Sequence, residues 1–321
     1  MIGMDVGGTR LKCGAVTRDG CLSAAHAVPT GFAMAPEALL QAMTAEVERI
    51  EQVQGHIAKG IALGFPGAVD PLKGVVMLPG KLRVEGFPMV PRLEAATGIP
   101  VIADNDGRLS ILAEVHYGKA RGYKWAVAIT LGTGVGSGVM LDGHVLRDPR
   151  LQFGTQASHI VQQAHSDRLC ITRARGTANI LCSATALALA VRDGLMRGLP
   201  SLLNEMYFQN PHNVDFEAVI AGVAQGDALC WDAIVHWRTQ LGWFLVSVVH
   251  MYSPEIIILS GGATHAAPYF LDDVREHVNR HVFRYPPGDE IHIELSSLAT
   301  YTGVLGAAAL AWEEADRRQA S

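Results

Sequence analysis

The stretch Ile2-Gly3-Met4-Asp5-Val6-Gly7-Gly8-Thr9-Arg10-Leu11-Lys12-Cys13-Gly14-Ala15-Val16 decides the fold. Apolar residues lead to Asp5, two glycines follow, and an apolar run leaves them, so it reads as strand, glycine turn, strand. Without side chains at Gly7 and Gly8 the backbone can turn tightly. It can also present N–H groups that cradle a phosphate. Thr9 adds a hydroxyl at the turn, and Asp5 beside it can hold Mg²⁺, directly or through water. An ordinary hairpin with a Gly-Gly turn would show the same local pattern.

A second stretch repeats the form: Ala126-Val127-Ala128-Ile129-Thr130-Leu131-Gly132-Thr133-Gly134-Val135-Gly136-Ser137-Gly138-Val139-Met140-Leu141. Two phosphate-type hairpins read as a duplicated unit, one copy per lobe, with a triphosphate gripped between the copies. Neither copy is a Walker loop, because no Gly-Lys-Ser/Thr follows at the required spacing. The second copy also fails the dinucleotide fingerprint, which would need glycine where Ser137 stands.

The first stretch resembles the phosphate-one motif of the actin-like, sugar-kinase ATPase fold. The resemblance narrows to the ROK family (repressors, open reading frames, sugar kinases). Four further stretches carry it, in the family's order and at roughly its spacing: Gly64-Phe65-Pro66-Gly67, Ala103-Asp104-Asn105-Asp106, the Gly132–Gly138 turn, and Leu259-Ser260-Gly261-Gly262. The match spans nearly the whole chain. It implies a two-lobed α/β protein, actin-like and ribonuclease H-like, with its active site in the cleft between lobes. The N-terminal lobe is expected over 1–120, with the C-terminal helix 303–321 packing back on it, and the larger C-terminal lobe over 121–302.

Composition is compatible with this. The chain has 321 residues, so one large domain or two moderate ones are expected. A net charge of -5 gives no reason to propose a nucleic-acid surface. Five cysteines without a CxxC pair read as reduced thiols in a cytoplasmic protein. No signal peptide or membrane span is expected, since apolar patches are interrupted well before 18 residues.

Periodicity places the motifs. A helix is expected over 36–54, a buried strand over 60–65, a short strand over 75–78 and a helix over 90–97 closed by Gly98. A strand over 101–106 ends in three polar residues before a helix over 107–117, which is typical of an active-site edge. Ser183 can cap a helix to about 192, a helix is expected over 215–223, and a helix to 252 is apolar all round and so expected to be buried. The strand 255–259 feeds Gly261, and a helix over 268–282, a strand over 291–295 and a helix over 303–316 close the chain. Residues 142–182 show little periodicity.

Phosphoryl transfer to an alcohol needs a grip on the triphosphate, a metal, and a base near the hydroxyl. Asp106 is the expected base, a carboxylate at the lip of the cleft that accepts the hydroxyl proton. Asn105 is expected to hydrogen-bond sugar hydroxyls, and an Asn-Asp pair does both jobs in the resembled family. The alternative is that Asp104 and Asp106 cap the following helix, and capping can be all that Asp104 does. Asp5, Gly7, Gly8 and Thr9 would surround the phosphates and Mg²⁺, with Lys12 neutralising charge. Gly132, Thr133 and Gly134 would contact the phosphates from the other lobe. Gly261 and Gly262 look like the adenosine motif, and Gly67 would let the backbone approach the sugar.

The chain departs from the family in one segment. Members usually carry Gly-Glu-x-Gly-His, where this chain has Thr155-Gln156-Ala157-Ser158-His159. A zinc segment C-x-C-G-x-x-G-C with a glutamate two residues on usually follows. Here only Cys170 and Gly176 of that pattern remain, and Asn179 stands at the glutamate's place. One thiolate and one histidine cannot make a four-ligand site, so no zinc is expected. Gln156, His159 and Asn179 are the expected sugar contacts, with a satisfied core histidine as the other reading of His159. Charged hydrogen bonds contribute roughly 1.5–3 kcal/mol against about 0.5–1.5 for neutral ones, so two amides in place of carboxylates weaken or redirect the sugar grip.

The expected activity is ATP-dependent phosphorylation of a hexose or hexose derivative, glucokinase-like, with ATP and Mg²⁺ as cofactors and a homodimer or homotetramer by analogy. A catalytically weak sugar- and nucleotide-binding protein with a regulatory role is the alternative. A repressor would need a DNA-binding segment before the first hairpin, which starts at residue 2. An acyl phosphate or carboxylate kinase would leave Asn105-Asp106 unexplained.

Overall fold

The structure, a computed structural model, describes residues 1–30, 34–70, 74–78, 82–146, 154–283 and 290–320. Contacts divide it into two compact units. The first holds Met1–Lys124, Gly138–Thr155 and Ser296–Ser321, and the second Trp125–Ser137 and Gln156–Leu295. The segment Gly138–Thr155 thus lies with the first unit, whereas a single boundary at residue 121 assigns it to the second.

In the first unit, β1 (Ile2–Val6) and β2 (Arg10–Val16) form the hairpin around Gly7 and Gly8, and β3 (Leu22–Pro29) extends it. Helix α1 (Pro36–Gln54) covers the sheet, burying Leu39, Leu40, Met43, Val47 and Ile50. It ends at Gly55, whose φ of 72° is the left-handed cap that glycine adopts without strain. Strand β4 (Ile61–Phe65) pairs parallel with β1. A small ladder of β5 (Ala68–Asp70) and β6 (Val75–Leu78) follows, then α2 (Met89–Thr97), β7 (Val101–Asn105) and α3 (Asp106–Tyr117). The sheet order is β3-β2-β1-β4-β7. The parallel strands β1, β4 and β7 all point their C-terminal ends, and hence Asp5, Phe65 and Asn105, to one edge.

The second sheet has the order β10-β9-β8-β11-β12, built from β8 (Ala126–Leu131), β9 (Val135–Leu141), β10 (His144–Val145), β11 (Ile256–Ser260) and β12 (His292–Leu295). The expected 142–182 gap contains a 3-10 turn at Ala157–His159, two isolated bridges (Val161 to Thr177 and Leu169 to Arg175) and the short helix α4 (Ala178–Cys182). Backbone bonds within a loop carry no side-chain period, which is why the sequence is silent there. Helices α5 (Ala184–Met196), α6 (Asn204–Gln209), α7 (Phe216–Ala224) and α8 (Ala228–Tyr252) follow. α8 is not buried on all sides as its composition suggests. α4, α5, α7 and α9 (Leu271–His281) pack on it, but Trp231, Trp243 and Met251 keep part of their surface exposed, Trp243 while its ring packs on His277 and His281 of α9. α9 starts three residues after the expected position, because Pro268 lies in the 3-10 stretch Gly262–Tyr269.

The last helix, α10 (Thr302–Ala320), packs on α3 and on β1 and β4. The approach is backbone to backbone: a Cβ at Gly306 would lie 1.9 Å from the Leu109 carbonyl oxygen. Among the described residues, no single helix is long and apolar enough to cross a membrane.

Candidate active site

In the first unit the glycine turn is held from both sides. The Gly7 N–H donates to the Arg10 carbonyl at 2.9 Å, and Thr30 at the end of β3 binds the carbonyls of Gly7 and Thr9 through its hydroxyl and its N–H, each at 3.0 Å. Among the described residues the N–H groups of Gly8 and Thr9 have no partner within the protein. Two free amides on a braced turn make an anion cradle.

Asp5 closes β1 beside Lys12, its cross-strand partner. Burial raises the Asp5 pKa, and the Lys12 charge opposes the rise. The Lys12 ammonium donates to the Thr300 carbonyl at 3.0 Å.

Asp106 is the first residue of α3 and is partly accessible. Its Oδ1 accepts from the Gly107 N–H at 2.8 Å and from Asn105 Nδ2 at 3.1 Å. Burial, and next the charge of Asp5, push its pKa up to about 7, against the pull of the Gly107 and Asn105 donors. A carboxylate poised there can accept a proton at neutral pH and release it again.

Asn105 caps α3: its Oδ1 accepts from the N–H groups of Gly107 and Arg108. Its Nδ2 also donates to the Gly67 carbonyl at 2.7 Å, at a backbone φ of 92° for Gly67. So Asn105 ties Gly67 and Asp106 to the helix start, and a sugar hydroxyl would have to exchange with one of these bonds. The capping role considered for Asp104 belongs to Asn105 instead. Asp104 is fully buried, and its Oδ1 accepts from the Arg108 Nε and from the Asn105 N–H, both at 2.7 Å. Arg108 is the residue that sequence reasoning missed. The opposite charges at positions i and i+4 were its signal.

In the second unit the Gly132–Gly134 turn is braced in the same way. The Gly132 N–H donates to the Gly134 carbonyl and its carbonyl accepts from the Ala184 N–H, both at 2.9 Å. The Thr133 carbonyl accepts from the Thr185 hydroxyl at 2.8 Å. The N–H groups of Thr133 and Gly134 have no protein partner among the described residues. Gly261 follows β11 with φ 92°, and a Cβ there would lie 2.4 Å from the Leu131 carbonyl, so only glycine fits. Gly262 is exposed with open space at its Cβ position.

Gln156 precedes the 3-10 turn and His159 ends it, and the His159 N–H donates to the Gln156 carbonyl at 3.0 Å. Burial lowers the His159 pKa, so the imidazole is neutral at pH 7. Its Nδ1 lies 3.4 Å from Cys170 Sγ. Among the described residues no three His, Cys, Asp or Glu side chains stand together as a metal site. Asn179 is drawn to the Gly132–Gly134 turn, with its Oδ1 accepting from the Val135 N–H at 2.8 Å.

The first unit therefore brings together Asp5, Gly7, Gly8, Thr9 and Lys12 with Gly67, Asn105 and Asp106. The second brings Asn179 to Gly132, Thr133 and Gly134, and Gly261 to the end of β8. The model of one protein family, the ROK family, matches residues 1–314, a span that holds both hairpins, the Asn105-Asp106 strand end and the Gly261-Gly262 pair. The chain belongs to the ROK family. Among ROK proteins it is 28% identical over 311 residues to a glucokinase of Thermotoga maritima, covering 97% of this chain and 96% of that protein. It is 28% identical over 278 residues to a beta-glucoside kinase of Klebsiella pneumoniae, covering 85% of each. The crystal structure of a ROK hexokinase from Thermus thermophilus superimposes with a TM-score of 0.79 at 26% identity, covering 99% of both chains. The fold is accordingly that of the actin-like ATPases.

Proposed function

We propose that this ATP-dependent sugar kinase transfers the γ-phosphoryl group of ATP to a hydroxyl of a hexose or hexose derivative, with Asp106 as general base. The observation that carries this reading is the Asp106 carboxylate, fixed at a helix start by Asn105 and Gly107 and raised to about 7. Asp106 takes the hydroxyl proton as the oxygen bonds to phosphorus, and the bond from phosphorus to the β-phosphate oxygen breaks. Asn105 keeps the carboxylate aimed. The free amides of Gly8 and Thr9, and of Thr133 and Gly134, hold phosphate oxygens. Gly261 and Gly262 give the nucleoside a backbone surface without side chains.

The chemistry of the first unit fits Mg²⁺. Asp5 and Asp106 are both carboxylates desolvated enough to be raised, and the charge of one raises the other. Hard oxygen donors that repel each other are the set a divalent cation relieves. Asp5 would hold the ion, directly or through water, and the bound ion would neutralise phosphate charge.

On the acceptor side Gln156 offers an amide and His159 an imidazole. Gln156 and His159 are assigned to the sugar, with Gly67 supplying backbone beside it. The neutral His159 can donate from one ring nitrogen, and Gln156 can both donate and accept. An assay of ADP release from Mg-ATP against a panel of glucose, mannose, fructose, allose, N-acetylglucosamine and N-acetylmannosamine tests the assignment. One strong acceptor supports it, and silence across sugars with ATP still bound counts against it.

A further inference from the structure

Asn179 stands where the family resemblance places a sugar-binding acid, yet its side chain is committed elsewhere. Its Oδ1 accepts from the Val135 N–H at 2.8 Å, at the point where β9 leaves the Gly132–Gly134 turn. The contact is close enough that a Cβ at Gly134 would lie 2.9 Å from the same oxygen. The turn is held from the α4 and α5 side at two further points. The Ala184 N–H binds the Gly132 carbonyl, and the Thr185 hydroxyl binds the Thr133 carbonyl. The start of α5 is itself fixed, since the Trp237 Nε1 of α8 donates to the Ser183 carbonyl at 3.0 Å and Ser183 caps the helix.

With these contacts the carbonyls of Gly132, Thr133 and Gly134 and the N–H groups of Gly132 and Val135 are engaged, and the amides of Thr133 and Gly134 are left. A loop that must offer amides to an anion gains affinity when it does not have to order itself on binding. We propose that Asn179 is a positioning residue for the nucleotide phosphates and not a sugar contact: with Thr185 it fixes the second phosphate turn in its binding shape. The inference rests on the reading of that turn as a phosphate cradle. It also ties the segment that departs most from the family pattern to the phosphoryl donor, and leaves acceptor choice to Gln156 and His159.

The test separates nucleotide from sugar. N179A removes the acceptor oxygen, N179D keeps it, and T185V removes the second anchor. Binding of a fluorescent ATP analogue in Mg²⁺ is measured without sugar, alongside KM for ATP and for the best acceptor. Amide hydrogen exchange at Val135 reports whether the bond survives. N179A is expected to weaken nucleotide binding and raise KM for ATP about 5–10-fold, the range of one hydrogen bond of about 1 kcal/mol and the ordering it provides. KM for sugar should stay within about twofold. N179D should lose less nucleotide affinity than N179A and keep Val135 protected, and T185V should shift in the same direction as N179A. A folded N179A with wild-type nucleotide binding and a tenfold higher sugar KM overturns the inference and returns Asn179 to the sugar. A wild-type protein that binds no nucleotide overturns the cradle reading as well, so the two failures are told apart by the wild-type control.

Discussion

At the residue scale, Asp106 is under opposing influences. It sits at the positive end of a helix and accepts two hydrogen bonds, both of which lower a carboxylate pKa. Burial and the neighbouring Asp5 charge outweigh them and hold it at about 7. The base form grows as pH rises through 7, so kcat/KM should climb between about pH 6 and 8 and level off above. Stability has the opposite sign. The folded protein binds this proton more tightly than the unfolded chain, whose carboxyl has its ordinary value of 3.8. The contribution of Asp106 to stability is therefore present at low pH and declines as pH rises through the window from 3.8 to about 7. Asp106→Asn carries no charge, so it should melt higher than wild type at pH 8 and lose that advantage near pH 4, as calorimetry at the two pH values would show. A lower melting point at pH 8 would mean that the Asp106 carboxylate is stabilising and not strained.

At the element scale, α3 is anchored by a buried pair and by its contact with α10. Arg108→Ala would leave the Asp104 carboxylate buried without its cation, which costs about 3–5 kcal/mol. Urea titration should show that loss, and an unchanged midpoint would mean that water replaces the guanidinium. Gly306→Val would force a side chain into the Leu109 backbone, at a cost of at least about 1–3 kcal/mol, read from the same titration. The two hairpins were legible from sequence because their signal is local: apolar runs on either side of glycines within a few residues. The capping of α3 was legible in kind, yet given to the wrong neighbour, since Asp104 and Asn105 are both good caps and only the burial of Arg108 decides which turns inward. The role of Asn179 was not legible. Its partner Val135 lies 44 residues away, and nothing in the spacing reports that α4 returns to the turn. The partial exposure of Trp231, Trp243 and Met251 on α8 was hidden for a similar reason, because Trp and Met count as apolar wherever they point.

For the whole molecule, family and fold were legible because five motifs recur in order along the chain, and the match over residues 1–314 bears this out. The acceptor was not legible, since residues 142–182 show no side-chain period from which a sugar contact could be read. Mg-ATP at about a hundred times its Kd should stabilise the folded chain by about 2.7 kcal/mol and raise its melting temperature. Metal analysis of the purified protein should find less than one zinc per chain, because Cys170 and His159 make only two ligands. Stoichiometric zinc would mean that other residues complete a site.

Phosphoryl transfer to a sugar hydroxyl with Asp106 as the base joins these scales. Its most direct test is sugar-dependent ADP release from Mg-ATP, measured for wild type and Asp106→Asn side by side with nucleotide binding as the control. One preferred hexose or hexose derivative is expected, with a loss of at least about 10²-fold in kcat in the variant and ATP binding near wild type. Turnover that survives the substitution, or a wild-type protein that binds ATP and phosphorylates no sugar, would contradict it.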